Sequence, residues 1–193
     1  MRPSTALALA TGVAALGGFL FGYDTAVIAG AVGALRDHFG LTAAQEGWVG
    51  ASAIYGCLPG ALAAGFLADH FGRRRLLLLC AVFYAVSAVW SAFPGGFVEF
   101  LAARFLGGVA IGTSSMVCPT YIAEIAPERR RGFLGTLFQL GIVVGIFLVF
   151  LVNDRIQALG DAAWNTASGW RWMLGSETLP AVVFLALLGL VPE

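Results

Sequence analysis

The sequence predicts an all-α membrane protein in which six transmembrane helices form one bundle. Three observations carry that expectation. Hydrophobic residues make up 59% of the 193-residue chain and charged residues only 11%, about half the charged share of a soluble domain. Mean hydropathy is correspondingly high, at +0.86. Six separate stretches reach the roughly 20 apolar residues needed to cross hydrocarbon as a helix, with charged or Gly/Pro punctuation between them. The 26 glycines suit close packing of such helices.

The first span is expected over 7–35. It follows MRPSTALALATG, which carries one charge, and its apolar run is too long for a cleaved signal peptide, so a retained span is expected. The second span covers 46–68 and is closed by Gly72 with Arg73, Arg74 and Arg75. The third, 76–94, is parted from the fourth, 97–122, by Pro94, Gly95 and Gly96. PERRRG at 127–132 separates the fourth from the fifth, 133–152. Residues 153–169 form the longest polar stretch, with Asp154, Arg155, Asp161 and Asn165, and the sixth span follows at 171–191.

Lysine is absent, so the arginines alone set the orientation. With the N-terminus inside, the cytoplasmic face holds seven (Arg2, Arg73–Arg75, Arg129–Arg131) and the outer face three (Arg36, Arg155, Arg171). The positive-inside rule therefore places both termini in the cytoplasm. Trp90, Trp164, Trp170 and Trp172 fall near outer span ends and read as interfacial anchors. Glycines at four-residue spacing (18/22, 56/60, 108/112, 141/145) read as helix-packing faces. Pro59, Pro119 and Pro180 lie within spans.

Two charges interrupt the apolar runs. Asp24 is the only formal charge in 7–35, and ionising it in a bilayer costs about 2.5–3.5 kcal/mol on insertion scales. Arg104 lies inside the fourth span, at a depth of ~10 Å against ~16 Å for Asp24. A salt bridge between neighbouring helices would lower the cost of both. The fourth-helix face of Arg104, Gly108, Ile111, Gly112 and Ser115 is small enough for another helix to approach. Such a pair reads two ways: a static lock for packing, or a proton site that opens and closes. Gln139, deep in the fifth span, reads either as an interhelical hydrogen-bonding group or as a reader of sugar hydroxyls.

Other classes are disfavoured. Zero net charge argues against nucleic acid as a partner. Cys57, Cys80 and Cys118 lie in apolar segments without a CxxC pair, and His38 and His70 are the only imidazoles, so no disulfide framework and no metal site is expected. No catalytic Ser/His/Asp or Cys/His set and no phosphate-cradling loop is evident, so neither enzymatic activity nor a cofactor is expected.

Several motifs stand in order: GFLADHFGRRR at 65–75, RFLGGVAIG at 104–112, YIAEIAPERRRG at 121–132 and QLGIVVG at 139–145. Together they resemble the N-terminal half of a major facilitator superfamily sugar porter, nearest to bacterial proton–xylose symporters and glucose facilitators, with His70 standing where arginine is usual. The stretch from Asn153 through GWRWMLGSETLPA and the closing VPE continue the pattern. The resemblance implies a 3+3 inverted repeat and a multi-pass protein of the bacterial inner membrane. It implies that Gln139 and Phe21 bind sugar, and that Asp24 with its partner Arg104 couples protons. It places Asp69, Arg73, Arg74, Glu124 and Arg131 in a cytoplasmic gating network.

In the same family a second six-helix bundle supplies most sugar contacts. The sequence ends at Glu193, inside the family's PESPR signature. The expectation is thus a half-length, proton-coupled pentose or hexose symporter working by alternating access, as a homodimer or with a separate second bundle. Two alternatives stand beside it: a truncated, non-transporting membrane subunit or remnant, and an uncoupled facilitator whose Asp24–Arg104 pair is structural.

Overall fold

The computed structural model describes residues 3–190. Arg2 and the closing residues 191–193, both used in the sequence reading, lie outside the described residues. Six helices run up and down: α1 (Pro3–Phe39), α2 (Ala43–Phe71), α3 (Arg73–Ala92), α4 (Phe97–Ile125), α5 (Arg131–Gln157) and a broken α6 (Ala162–Leu190). All six contain stretches long and apolar enough to cross a membrane.

Short connections hold the register. Gly40 takes a left-handed φ of 63° after α1, and Thr42 then opens α2 through a reciprocal capping box with Gln45. Gly72, at φ 86°, is the single residue between α2 and α3, a geometry strained for any side chain. Pro127 follows the end of α4, and a 3-10 turn, Glu128–Arg130, leads into α5.

The helices overrun the expected spans by a few residues at most ends, because the polar flanks still satisfy their backbone bonds helically. The largest difference is at α6. Its helical chain begins at Ala162, so the connection from α5 is only 158–161 rather than the whole polar stretch 153–169. Asp161 caps it by accepting from the Trp164 N–H, and Asn165 donates to the carbonyls of Gln157, Gly160 and Asp161. A π turn, Asn165–Gly169, precedes Trp170–Gly175, and Thr178–Leu190 completes the span. The break between these last pieces has a covalent cause. Pro180 has no N–H to give to the Ser176 carbonyl, so Leu179 donates there instead and Glu177 donates to Leu174, both in tight i→i−3 turns.

Two seams dominate the packing, α1 on α5 and α2 on α4. Each is lined by glycine from both sides. A Cβ added to Gly18 or Gly22 would overlap the carbonyl of Phe138 or Ile142, and one on Gly141 or Gly145 would overlap that of Ala15 or Phe19. Gly56 and Gly60 meet Phe105 and Val109 in the same way, and Gly108 and Gly112 meet Ala53 and Cys57. Backbone lies directly on backbone, as the four-residue spacing predicts. Exchanging α1–α3 for α4–α6 carries one seam onto the other, the pattern of two three-helix repeats.

The interior divides into two apolar clusters. One holds Leu20, Tyr84, Ile111, Ala181 and Phe184; the other holds Val27, Leu35, Phe100, Trp170 and Met173. Trp170 is 0% exposed and belongs to this core, not to an interfacial belt. Its ring packs on Phe39, and its indole N–H donates to the Thr166 carbonyl, so both its apolar body and its polar tip are satisfied inside. Trp172, 66% exposed, points outward as expected. Leu58, Leu62 and Phe66 on α2, with Val143, Phe147 and Phe150 on α5, are also exposed. Apolar surface on that scale belongs in lipid or against another protein.

Candidate functional site: a buried charge cluster between two apolar layers

Along α1, α4 and α6 the two apolar clusters leave a gap at the same level. Into that gap fall Asp24 (between Leu20 and Val27), Arg104 (between Phe100 and Ile111) and Glu177 (between Leu174 and Ala181). All three are at most 2% exposed.

The expected Asp24–Arg104 salt bridge is present. Arg104 Nη1 donates to Asp24 Oδ1, and Nη2 donates to the backbone carbonyl of the same residue at 2.9 Å. The guanidinium thus grips residue 24 twice, once by charge and once by its peptide. Asp24 Oδ2 and Arg104 Nε have no hydrogen-bond partner among the described residues.

The small residue that admits Asp24 is Gly107. A Cβ there would sit 3.1 Å from Asp24 Oδ2 and closer still to Ser87 Oγ. Ser87 is turned away by donating to the Ala103 carbonyl at 2.8 Å. Gly108 and Gly112 lie on the α2 seam instead. The glycine face expected to open Arg104 to a neighbour therefore serves α2, while α1 reaches the guanidinium over Gly107.

Glu177 is the group the sequence reading did not single out. It sits on the α6 break and interacts electrostatically with both Asp24 and Arg104. Around it, Tyr23 hydrogen-bonds Ser176 at 2.7 Å and Tyr84 hydrogen-bonds Ser114 at 2.9 Å. Both serines also donate to backbone, to Met173 and Ile111 respectively, which makes each tyrosine the donor to its serine. The signal that would have found Glu177 is the one that found Asp24, a carboxyl inside an apolar helix. Glu177 lies inside the expected span 171–191, about as far from its start as Arg104 from the start of 97–122, so the same signal is present in the sequence.

The remaining predicted residues separate into two groups. Gln139 and Phe21 flank the α1–α5 seam, next to Phe138 and Gly22; Gln139 is exposed and Phe21 half-buried. No hydrogen bond joins Gln139 to Asp24 or Arg104 among the described residues. At the arginine-rich end, Arg73 pairs with Asp69 at 2.9 Å and Glu124 at 3.1 Å and also donates to the Ala68 carbonyl. Arg74 donates to the carbonyls of Leu188 and Gly189 at the end of α6, where the helix dipole favours a cation. Arg131 donates to the Ala126 carbonyl and makes no ion pair with Asp69 or Glu124. Asp69, Arg73 and Glu124 are thus brought together, while Arg74 and Arg131 tie down helix ends.

Residues 10–193 match the family model described as sugar (and other) transporter. The arabinose–proton symporter of Bacillus subtilis is 43% identical, over 93% of this chain and 39% of the symporter. The D-xylose–proton symporter of Escherichia coli K12 is 42% identical, over 94% of this chain and 42% of the symporter. The solved structure of the proton:xylose symporter XylE bound to 6-bromo-6-deoxy-D-glucose superposes with a TM-score of 0.95 at 40% identity, covering 100% of this chain and 46% of that one. The chain spans about two-fifths of the length of the curated relatives it matches.

Proposed function

The chain belongs to the sugar (and other) transporter family, a family of multi-pass membrane transporters rather than enzymes, and from that premise we propose that it forms one wall of a proton-coupled sugar site. The observation that carries the reading is the buried cluster of one arginine and two carboxyls. One guanidinium balances one carboxylate. A second unpaired anion at the same depth would cost several kcal/mol, so the two carboxyls hold a proton between them. Asp24 Oδ2, the oxygen without a partner, is the position at which that proton arrives or leaves. When Asp24 is neutral, Glu177 is the carboxylate that balances Arg104. When Asp24 is ionised, it balances Arg104 and Glu177 takes the proton.

In this reading the sugar, a pentose or hexose, lies at the midplane against Gln139 and Phe21. A second six-helix bundle closes the other side, and rocking of the two bundles alternates access, with both termini of this chain in the cytoplasm. The exposed apolar faces of α2 and α5 are the surface for that bundle, which we take to be a second copy of this chain. The cluster of Asp69, Arg73 and Glu124, with Arg74 and Arg131 beside it, holds the cytoplasmic ends in one of the two states.

The test is uptake of D-xylose, L-arabinose and D-glucose into proteoliposomes under an imposed proton gradient. Accumulation that collapses in Asp24→Asn while sugar exchange without a gradient continues supports the coupling role; unchanged accumulation removes it. Crosslinking in nanodiscs decides the second bundle, since a chain found only as a monomer is not a homodimer. One observation favours a second reading. The bond from Arg104 to the Asp24 backbone carbonyl suits a structural lock, and a facilitator built on that lock would take up sugar independently of the proton gradient.

A further inference from the structure

At the end of the bundle opposite the arginine-rich loops, two apolar grooves flank the break in α6. The first, a cavity of about 300 Å³ between α3 and α6, is lined by Val89, Phe93 and Trp172, with Arg171 in its wall. The second, of about 560 Å³, lies between α5 and α6 against Ile156, Leu179 and Val182. Trp172, Gly175 and Thr178 belong to both, so the indole stands as a ridge between them.

Arg171 is the charged member of this surface. Its guanidinium lies 4.4 Å over the Trp170 ring, and Nη1 donates to the Ala92 carbonyl at 3.0 Å, closing the end of α3. It makes no ion pair among the described residues. A guanidinium has five N–H groups, so donors remain for an anion. A cation left without one at the edge of the hydrocarbon is costly.

We propose that this surface is a phospholipid site: the phosphate meets Arg171, and the two acyl chains enter the two grooves on either side of Trp172. The twin grooves match a two-chain lipid, and the unneutralised arginine beside them matches its anionic headgroup. Gly175 and Thr178 bracket Glu177, whose side chain points the other way, into the charge cluster. A chain seated here therefore packs directly on the back of the α6 break. The proposal stands apart from the transport reading, and its test needs no sugar.

The experiment uses the whole chain in phosphatidylcholine vesicles carrying either brominated phosphatidylglycerol or brominated phosphatidylcholine, whose bromines quench nearby indoles. The quenching lost in Trp172→Phe reports this surface. That component should reach half-quenching at about fivefold lower mole fraction of the anionic lipid, the weight of one arginine near a membrane surface. Arg171→Gln should abolish the preference and Arg171→Lys should keep it. Val89→Phe, which fills the first groove from an exposed position, should weaken quenching by both lipids with Arg171 intact. Equal quenching by the two lipids in the unsubstituted chain, or an unchanged response in Val89→Phe, overturns the site. If Arg171→Gln fails to fold, Val89→Phe decides alone.

Discussion

The bundle contains two clusters with the same inventory, one arginine and two carboxyls. Arg104 lies with Asp24 and Glu177 among α1, α4 and α6, where the paired side chains of Arg104 and Asp24 are 3% and 1% exposed. Arg73 lies with Asp69 and Glu124 among α2, α3 and α4, where the exposures are 31%, 73% and 45%. In the second cluster water carries the spare negative charge, and each exposed pair contributes about 0–1 kcal/mol. In the first the side chains are closed off from the surface, and an unmatched charge costs several times more. On the proposed reading, the same three groups make an adjustable contact at one end and a charge-counting device at the other.

Removing an arginine from each cluster should separate them most strongly. Arg104→Leu leaves a buried carboxylate alone and should lower stability by about 3–5 kcal/mol, read as thermal unfolding in detergent. The double change Asp24→Leu with Arg104→Leu should recover much of that loss. If the single variant melts with the unsubstituted chain, the two clusters do not differ in the way argued. Next in size is Glu177→Gln, which keeps the shape and removes the second proposed proton carrier. It should alter stability by about 1 kcal/mol or less, while gradient-driven sugar accumulation in proteoliposomes is largely lost. Retained accumulation would leave Asp24 to count charge without it.

Arg73→Ala should cost less than about 1 kcal/mol and change the rate of exchange more than its coupling. The smallest expected effect is that of salt. Raising ionic strength from low to several hundred millimolar should erase the stability difference between Arg73→Ala and the unsubstituted chain, because the exposed pairs are screened. The Arg104→Leu difference should survive the same salt, and a parallel loss in both would show that water reaches the inner cluster.

What the sequence exposed and what it hid follow from burial and helix length. Asp24 and Arg104 stand out because each interrupts an apolar run, and matching depths were enough to pair them. The glycine seams were legible because their spacing has one strong physical use in lipid. Glu177 carries the same signal inside the expected span 171–191, but it follows Arg171 closely, which makes it look interfacial. Only the Asp161 cap and the Asn165 bonds, which require coordinates, carry the helix back to Ala162 and put Glu177 deep inside. Trp170 was misjudged for a related reason: an aromatic at a span's end can face inward once the span starts earlier. The division of labour among the arginines near Asp69 was also beyond the sequence, since a carbonyl at a helix end competes with a carboxylate for the same guanidinium.

The hydrogen bond from Arg104 Nη2 to the Asp24 carbonyl has an electrical meaning. It fastens the positive charge to the first helix whatever the state of the carboxyl. A proton arriving on Asp24 while Glu177 keeps its own then raises the net charge of the cluster by a full unit, because the counter-charge on Arg104 stays. If the bundle reorients in that condition, it moves charge across the membrane field, worth about 2.3 kcal/mol per elementary charge for each 100 mV. Sugar uptake by such a device draws on voltage as well as on pH difference, and it registers as a current.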